Sequence, residues 1–456
     1  MRFVVIIPPY VVDEGGKAVQ PSKAMLPVGP LAIAAALLER GYQVRVIDLV
    51  FSGGRWREWL NGVGANDHVL LSCHTVRNIS SCQALLAELR AHGFRGHVTL
   101  GGNACVELGQ AEFARLGLDV DSVIRGYGHG LMDEIIARIT GDVWSTPEQV
   151  AVALPPPATD LLDEETRQHY LMASGRRYPL VGHGFGCAWS CEYCSAKMGA
   201  GWISRPLSEV IEEVKLAKRL GYVQLWCTDN LILVNPERTI MFDQMVVEAD
   251  LTWSGMDRAE EVVQRREVLS RLQGLASLAL GIETTSRHQL TVFGRNARPD
   301  TYPVAFELAK QAKIQTVAFV ILDCPQTDEV DFWRLYSYLR DKLQPTSVSW
   351  SFYNPLPIDG LFQRKINTTD YGFYRWPYGC SPVFPDLVVQ EAMLLSGVWW
   401  KGWHLNESDP FFGDDNEFGV NFEEGQVFQA RTARSPIGDI WEIWKMRNIW
   451  KKGGVP

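Results

Sequence analysis

Cys187, Cys191 and Cys194 lie in the run Gly186-Cys187-Ala188-Trp189-Ser190-Cys191-Glu192-Tyr193-Cys194, a C-x₃-C-x₂-C spacing that puts three thiolates on one tight loop. Structural zinc usually closes its tetrahedron with four Cys or His ligands, and ferredoxin loops supply a thiolate to every iron. Three thiolates without a fourth suit a 4Fe–4S cluster with one iron left open for a small molecule. On residue types alone the other reading is zinc, with a remote His completing the site.

The spacing, with aromatic Tyr193 directly before the last cysteine, resembles the radical S-adenosylmethionine (SAM) superfamily. The resemblance implies that the open iron chelates the amino and carboxylate groups of SAM. It further implies that the reduced cluster cleaves a C–S bond to give a carbon radical, and that Tyr193 positions the adenine.

The loop needs a scaffold, and the bulk properties bound what that can be. The chain has 456 residues, and at roughly 100–200 residues per domain this makes two or three domains with ample cores. A net charge of −9 gives no electrostatic reason to expect nucleic acid or an anionic membrane as partner, so a small molecule or peptide is the expected substrate. The apolar run from Phe3 to Ile7 is too short for a secretory signal and ends at two prolines, and no window approaches the length of a membrane span. With nine cysteines and no export signal, a reducing cytoplasmic location is expected, where thiols serve metals or cores.

The predicted fold class is α/β throughout: an N-terminal doubly wound Rossmann-like domain over 1–145, a linker over 146–177, a partial (β/α)₆ TIM-like barrel over 178–365 and a Trp-rich helical extension over 366–456. In the first domain, Phe3 to Ile7, Val44 to Leu49, Val69 to Ser72 and Val98 to Leu100 read as buried strands, with a helix from Leu31 to Arg40 between Pro30 and Gly41. Strand–helix alternation predicts a parallel sheet whose ligands bind at the carboxyl ends of the strands. Those ends carry Ser72, Thr75, Gly101, Gly102, Gly126 and Gly128. In order and content they resemble the cobalamin-binding domain of one large radical SAM subgroup, with Leu100-Gly101-Gly102 the most recognisable piece. The chain has no Asp-x-His-x-x-Gly motif, and Tyr127 and His129 stand after the second glycine loop where the subgroup usually has acids.

Ala153-Leu154-Pro155-Pro156-Pro157 predicts a stiff extended connector. Beyond it, six strand–helix units are countable, with strands at Pro179 to Gly182, Val223 to Trp226, Leu251 to Ser254, Leu278 to Glu283, Val317 to Leu322 and Val348 to Phe352. Glu209, Glu212 and Glu213 open the helix after the cysteine loop and favour its dipole. In barrels of this kind chemistry sits at the C-terminal strand ends. By the resemblance, Asp229 after strand two accepts from the SAM amino group, Arg258 after strand three grips its carboxylate, and Glu283 with Arg295 completes the set. Asn354 to Gly360 resembles the Pro-rich turn that closes the subgroup's barrel.

Cys227 and Cys324 end strands two and five, and each is either a small buried hydrophobe or a catalytic thiol. Cys380 joins them only if the tail folds over the barrel. Trp376, Trp399, Trp400, Trp403, Trp441, Trp444 and Trp450 mark that tail, and the spacing of Trp441 and Trp444 suits a helix face packed on the barrel.

These features together predict a cobalamin-associated radical SAM enzyme. Its expected cofactors are a 4Fe–4S cluster, SAM and cobalamin, and its expected partner is a one-electron reductant of the flavodoxin or ferredoxin type. The commonest chemistry of the subgroup is methylation of an unactivated carbon: one SAM methylates cobalamin and another yields the 5′-deoxyadenosyl radical. One alternative is cobalamin-independent transfer of the aminocarboxypropyl group of SAM to a sulfur or arsenic centre held by Cys227 and Cys324. Ring contraction or cyclisation is another, and a non-catalytic Fe–S or cobalamin-binding sensor is the alternative from outside the enzymes.

Overall fold

The run Arg2-Phe3-Val4-Val5-Ile6-Ile7 is rich in β-branched residues, which suit a pleated surface packed on both faces. In the computed structural model it is strand β1 (Arg2–Ile7), buried at every position after Arg2. The structure describes residues 2–9, 11–12, 18–19, 24–52, 56–74, 78–151, 153–194, 196, 201–322 and 329–352, with strand pieces at 417–418, 422–423 and 426–427. They fall in two compact units, the first ending at Gly255 and the second beginning at Met256.

In the first unit β1 is joined by β2 (Gln43–Asp48), β3 (His68–Ser72), β4 (Val98–Gly101), β5 (Ser122–Arg125) and β6 (Gly141–Trp144). All pair in parallel in the order β2-β1-β3-β4-β5-β6, so the winding reverses beside β1. Helix α1 (Val28–Glu39) begins before Pro30, which therefore sits in the first turn, where a missing N–H costs nothing. Its Ala34, Ala35 and Leu37 pack with Phe3, Val5, Leu70 and Ile124 to form the core of this sheet.

Residues 146–177 carry structure of their own. They hold the short helix Pro147–Val150 and then α2 (Glu164–Ala173), capped by Asp163, whose Oδ1 accepts from Thr166 N at 2.7 Å. Tyr170 of α2 is fully buried and donates its hydroxyl to Asp48 Oδ2 at 2.7 Å, while Val50 N donates to Asp48 Oδ1 at 2.9 Å. The proline segment is held by both of its polar groups at Leu154, a buried residue, and so is no free spacer.

The first unit also holds β7 (Arg177–Leu180), β8 (Gln224–Cys227) and β9 (Thr252–Arg258), with β8 parallel to both neighbours. Helix α3 (Leu207–Arg219) precedes β8, and α4 (Pro236–Glu248) follows it. β9 carries the chain into the second unit. That unit has β10 (Leu275–Glu283), β11 (Gln315–Leu322) and β12 (Ser347–Phe352), again parallel, with helices α5 (Tyr302–Gln311) and α6 (Glu329–Tyr338) between them.

Six strands occupy the six expected places, with one marked correction. β9 runs to Arg258 rather than ending at Ser254, so Arg258 closes the strand instead of following it. Within β9 a Cβ on Gly255 would stand 2.6 Å from Ile232 Cγ2, so close packing explains this glycine. In the tail the described pieces are strands and not helix: Glu417–Phe418 pairs antiparallel with β12, and Phe422–Glu423 with Gln426–Val427. The tail tryptophans, Asn354 to Gly360, Thr75, Cys324 and Cys380 lie outside the described residues. No described helix is long and apolar enough to cross a membrane.

Glu213 does not serve the helix dipole as expected. It is fully buried in α3 and pairs with the equally buried Arg205. Glu213→Ala would leave that buried guanidinium with only Glu209, 3.4 Å away, as counter-charge, and a loss of about 3 kcal/mol is expected in urea unfolding. Burial also pushes the Asp48 carboxyl up to about 6 from an ordinary 3.8. A raised folded-state value contributes stability that is full below 3.8 and is lost as pH rises through about 6. The stability advantage of Asp48→Asn over the parent should therefore grow by about 2 kcal/mol between pH 4.5 and pH 8. A pH-independent difference would show that Asp48 is already ionised in the fold.

Candidate active site

The cysteine loop leaves the end of β7 and returns into α3. A two-residue hairpin, Gly184–Phe185 against Ile203–Ser204, joins the way in to the way out, so the loop is closed at its base. Gly186, the residue before Cys187, has φ +80°, and a Cβ there would run into the Gly201 carbonyl, so only glycine fits. Both polar ends of Gly186 are taken: its N–H donates to the Tyr127 hydroxyl oxygen at 2.6 Å, and its carbonyl accepts from Asn230 Nδ2 at 3.1 Å. Cys191 is buried, Cys187 and Cys194 are half-buried, and Cys194 N donates to Cys191 O at 3.2 Å.

Among the described residues, His183, Cys227 and Asp229 are the group of His, Cys, Asp or Glu side chains whose ligand atoms all lie within 4.8 Å of one another. Cys187, Cys191 and Cys194 bring three thiols and no fourth Cys or His to one loop, a donor set that suits a 4Fe–4S cluster with one open iron.

Asp229 follows β8 and is held from one side. Its Oδ2 accepts from His183 N and from Cys227 Sγ, each at 2.9 Å. A Cβ on Gly182 would stand 2.6 Å from that oxygen, so the chain passes Asp229 only as glycine. Oδ1 is buried and accepts no hydrogen bond among the described residues; His183 Nδ1 lies 3.5 Å away without bonding geometry. Burial lowers the His183 pKa, so this ring is neutral at pH 7 and the contact is no ion pair. Burial, and next the Asp229 carboxylate, push the Cys227 thiol well up, which keeps it protonated and donating. The outcome is a carboxylate with one oxygen fixed and the other open, suited to an ammonium.

The sequence places Glu283 and Arg295 twelve residues apart, and the second unit brings them together. Arg295 Nη1 donates to Glu283 Oε1 and Nη2 to the Gly281 carbonyl, both at 2.6 Å, and the two side chains are buried. Glu283 adopts φ +56° where the register of β10 and β11 shifts. Arg258 is buried in the same unit, its Nε 3.4 Å from Glu260 Oε2 and its Nη2 3.4 Å from the Asn296 carbonyl.

In the first sheet Ser72 and Gly101 are register partners at the ends of β3 and β4. Gly102 caps the short helix that follows, and Gly126 and Gly128 lie just past β5. Among the described residues, nothing stands within 4 Å of a Cβ built on Gly101, which leaves room at this strand end.

Sequence reasoning missed His183, Arg205, Asn230 and Arg238. Arg238 reaches from α4 to donate to the His183 carbonyl, with Nη2 at 2.8 Å, and also to the Arg205 carbonyl. A usable signal was the alternation Gly182-His183-Gly184-Phe185-Gly186, which shows a backbone approached closely at every second residue.

Residues 181–339 match the radical SAM superfamily. A hopanoid C-3 methylase of Methylococcus capsulatus is 22% identical over 405 residues, covering 82% of this chain and 77% of the methylase. An anaerobic magnesium-protoporphyrin IX monomethyl ester cyclase of Cereibacter sphaeroides is 26% identical over 224 residues, which is 47% of this chain and 36% of the cyclase. Among solved structures, the radical SAM methyltransferase TsrM of Kitasatospora setae shares the fold, with a TM-score of 0.62 at 13% identity over 80% of this chain and 76% of that one. Residues 181–339 of this chain thus carry a radical SAM domain. The chain is a radical SAM enzyme, using a 4Fe–4S cluster and SAM, with methyltransferases among its relatives.

Proposed function

We propose that this enzyme uses cobalamin and methylates an unactivated carbon of a small-molecule or peptide substrate. The observation that carries the reading is the contact between Tyr127, in the glycine loop after β5, and Gly186 at the root of the cysteine loop. A loop suited to cobalamin thus abuts a loop suited to the cluster within one compact unit. The open end of β4 at Gly101, beside Ser72, fits a bulky cofactor lying across the strand ends. The likeness to the hopanoid methylase over most of both chains supports the same reading.

When bound, cobalamin would supply a methyl carrier, and the cluster with SAM an abstracting radical. Cys187, Cys191 and Cys194 would hold the cluster, and Tyr193 the adenine. Asp229 would receive the SAM ammonium on Oδ1, the buried oxygen that lacks a hydrogen bond. Arg258, Glu283 and Arg295 keep the SAM roles that the resemblance gives them, and Ser72, Gly101, Gly102, Gly126 and Gly128 the cobalamin roles. Cys227 is a thiol donor that orients Asp229, which argues against its serving as a thiolate clamp for a sulfur or arsenic acceptor. Cyclisation is the second reading, favoured by the likeness to the cyclase.

A charge-assisted hydrogen bond is worth about 1.5–3 kcal/mol, so Asp229→Asn should weaken SAM binding roughly 10- to 100-fold in anaerobic calorimetry on the cluster-loaded protein. Unchanged affinity would remove Asp229 from the SAM site. For the reaction, protein purified anaerobically with cobalamin should contain cluster and cobalamin together. With reductant and methyl-labelled SAM it should pass label to cobalamin and release 5′-deoxyadenosine. Methylthioadenosine as the SAM product, or a full cluster without cobalamin, overturns the methylation reading. Cys191→Ala should abolish SAM cleavage with the fold intact.

A further inference from the structure

We propose that Tyr127 is a positioning residue of the iron–sulfur loop, bracing from the first sheet the peptide that sets the first cluster cysteine. This rests on the reading of Cys187, Cys191 and Cys194 as cluster ligands. The Gly186 peptide immediately precedes Cys187, and its conformation is fixed at a left-handed φ of +80°. Its buried N–H donates to the Tyr127 phenol oxygen at 2.6 Å, and its carbonyl accepts from Asn230 Nδ2 at 3.1 Å. The peptide is thus pinned from opposite ends by a residue after β5 and a residue after β8.

The brace is itself locked. The Tyr127 ring packs on Phe185 at 5.0 Å, and Phe185 meets the His129 ring at 5.0 Å. His129 is fixed by a 3.0 Å bond between its Nε2 and the Val150 carbonyl. Tyr127 and His129 stand where the resembling subgroup usually has acids. Here that loop presents an aromatic pair to the cysteine loop. Groups at this distance from a ligand set cluster retention and potential: loss of an outer-shell partner typically costs 10–100-fold in metal affinity.

The test compares Tyr127→Phe with the parent, both reconstituted anaerobically with iron and sulfide and without cobalamin or substrate. Three quantities are read: the rate of iron loss to a chelator, the electron paramagnetic resonance spectrum of the reduced cluster, and its midpoint potential. Faster iron loss, by roughly tenfold, with a changed spectrum and a shifted potential at unchanged melting temperature is the expected result. Unchanged retention overturns the proposal, and so does faster loss with the parent's spectrum and potential, which would mark a merely structural role. If Tyr127→Phe does not fold, 3-fluorotyrosine at position 127 keeps the shape and weakens the acceptor, and the same readouts apply. Cys187→Ala separates the two assignments: a variant that still holds a full cluster refutes the ligand reading itself, whatever Tyr127→Phe does.

Discussion

Two opposite charges, Arg205 and Glu213, are removed from water next to the cysteine loop, and the geometry around that loop depends on them. Taking each ion out of water costs several kcal/mol, so such a pair persists only when its remaining donors and acceptors are used. Arg205 reaches the Leu154 carbonyl at 3.3 Å, the Gly182 carbonyl at 3.4 Å and Glu209 at 3.4 Å, and Glu213 Oε1 accepts from Val181 N at 2.9 Å. One pair therefore ties together the chain entering the loop, the chain leaving it, the helix that follows and the proline segment from the first sheet. Its hydrogen bonds run to backbone groups, whose positions are fixed by the sheet, which gives the pair a geometry that side chains alone would not hold.

The same economy of polar groups governs Asp229. Its environment contains a neutral ring, a protonated thiol and backbone N–H, and burial lowers the pKa of the nearby Arg238. The Arg238 guanidinium is aimed at the His183 carbonyl at 2.8 Å, one peptide unit from the carboxylate. Shifting the chain at His183 would move the carboxylate, the arginine and the root of the cysteine loop together. Their orientation is set before any ligand arrives, which lowers the reorganisation that binding would otherwise require.

What the sequence revealed was what is local. Cysteine spacing, β-branched runs and the glycines at strand ends depend on neighbours a few residues away, and they located the loop, the six strands that follow the proline segment and the strand ends of the first sheet. Contacts between distant segments were invisible. Glu213 looks like a helix-dipole residue because its partner Arg205 precedes the helix and nothing in the spacing marks it as buried. The third strand reads as ending at Ser254, before Gly255, because the close approach of Ile232 that Gly255 allows cannot be read from the sequence. Tyr127 reads only as a departure from a pattern, since its partner Gly186 is 59 residues away. Glu283 and Arg295 were legible as a pair only through resemblance, although the structure joins them directly.

The hairpin between Gly184–Phe185 and Ile203–Ser204 bears on how such a protein matures. A loop tied at its base pays its closure entropy when the hairpin forms, not when iron arrives. The strands on either side are already paired through their own backbone groups. Cofactor insertion then becomes a local, late event on a finished scaffold, unlike small metal-dependent domains that fold only around their ion. Oxidative loss of the cluster would strip the enzyme of its chemistry while leaving its architecture in place, ready to be refilled.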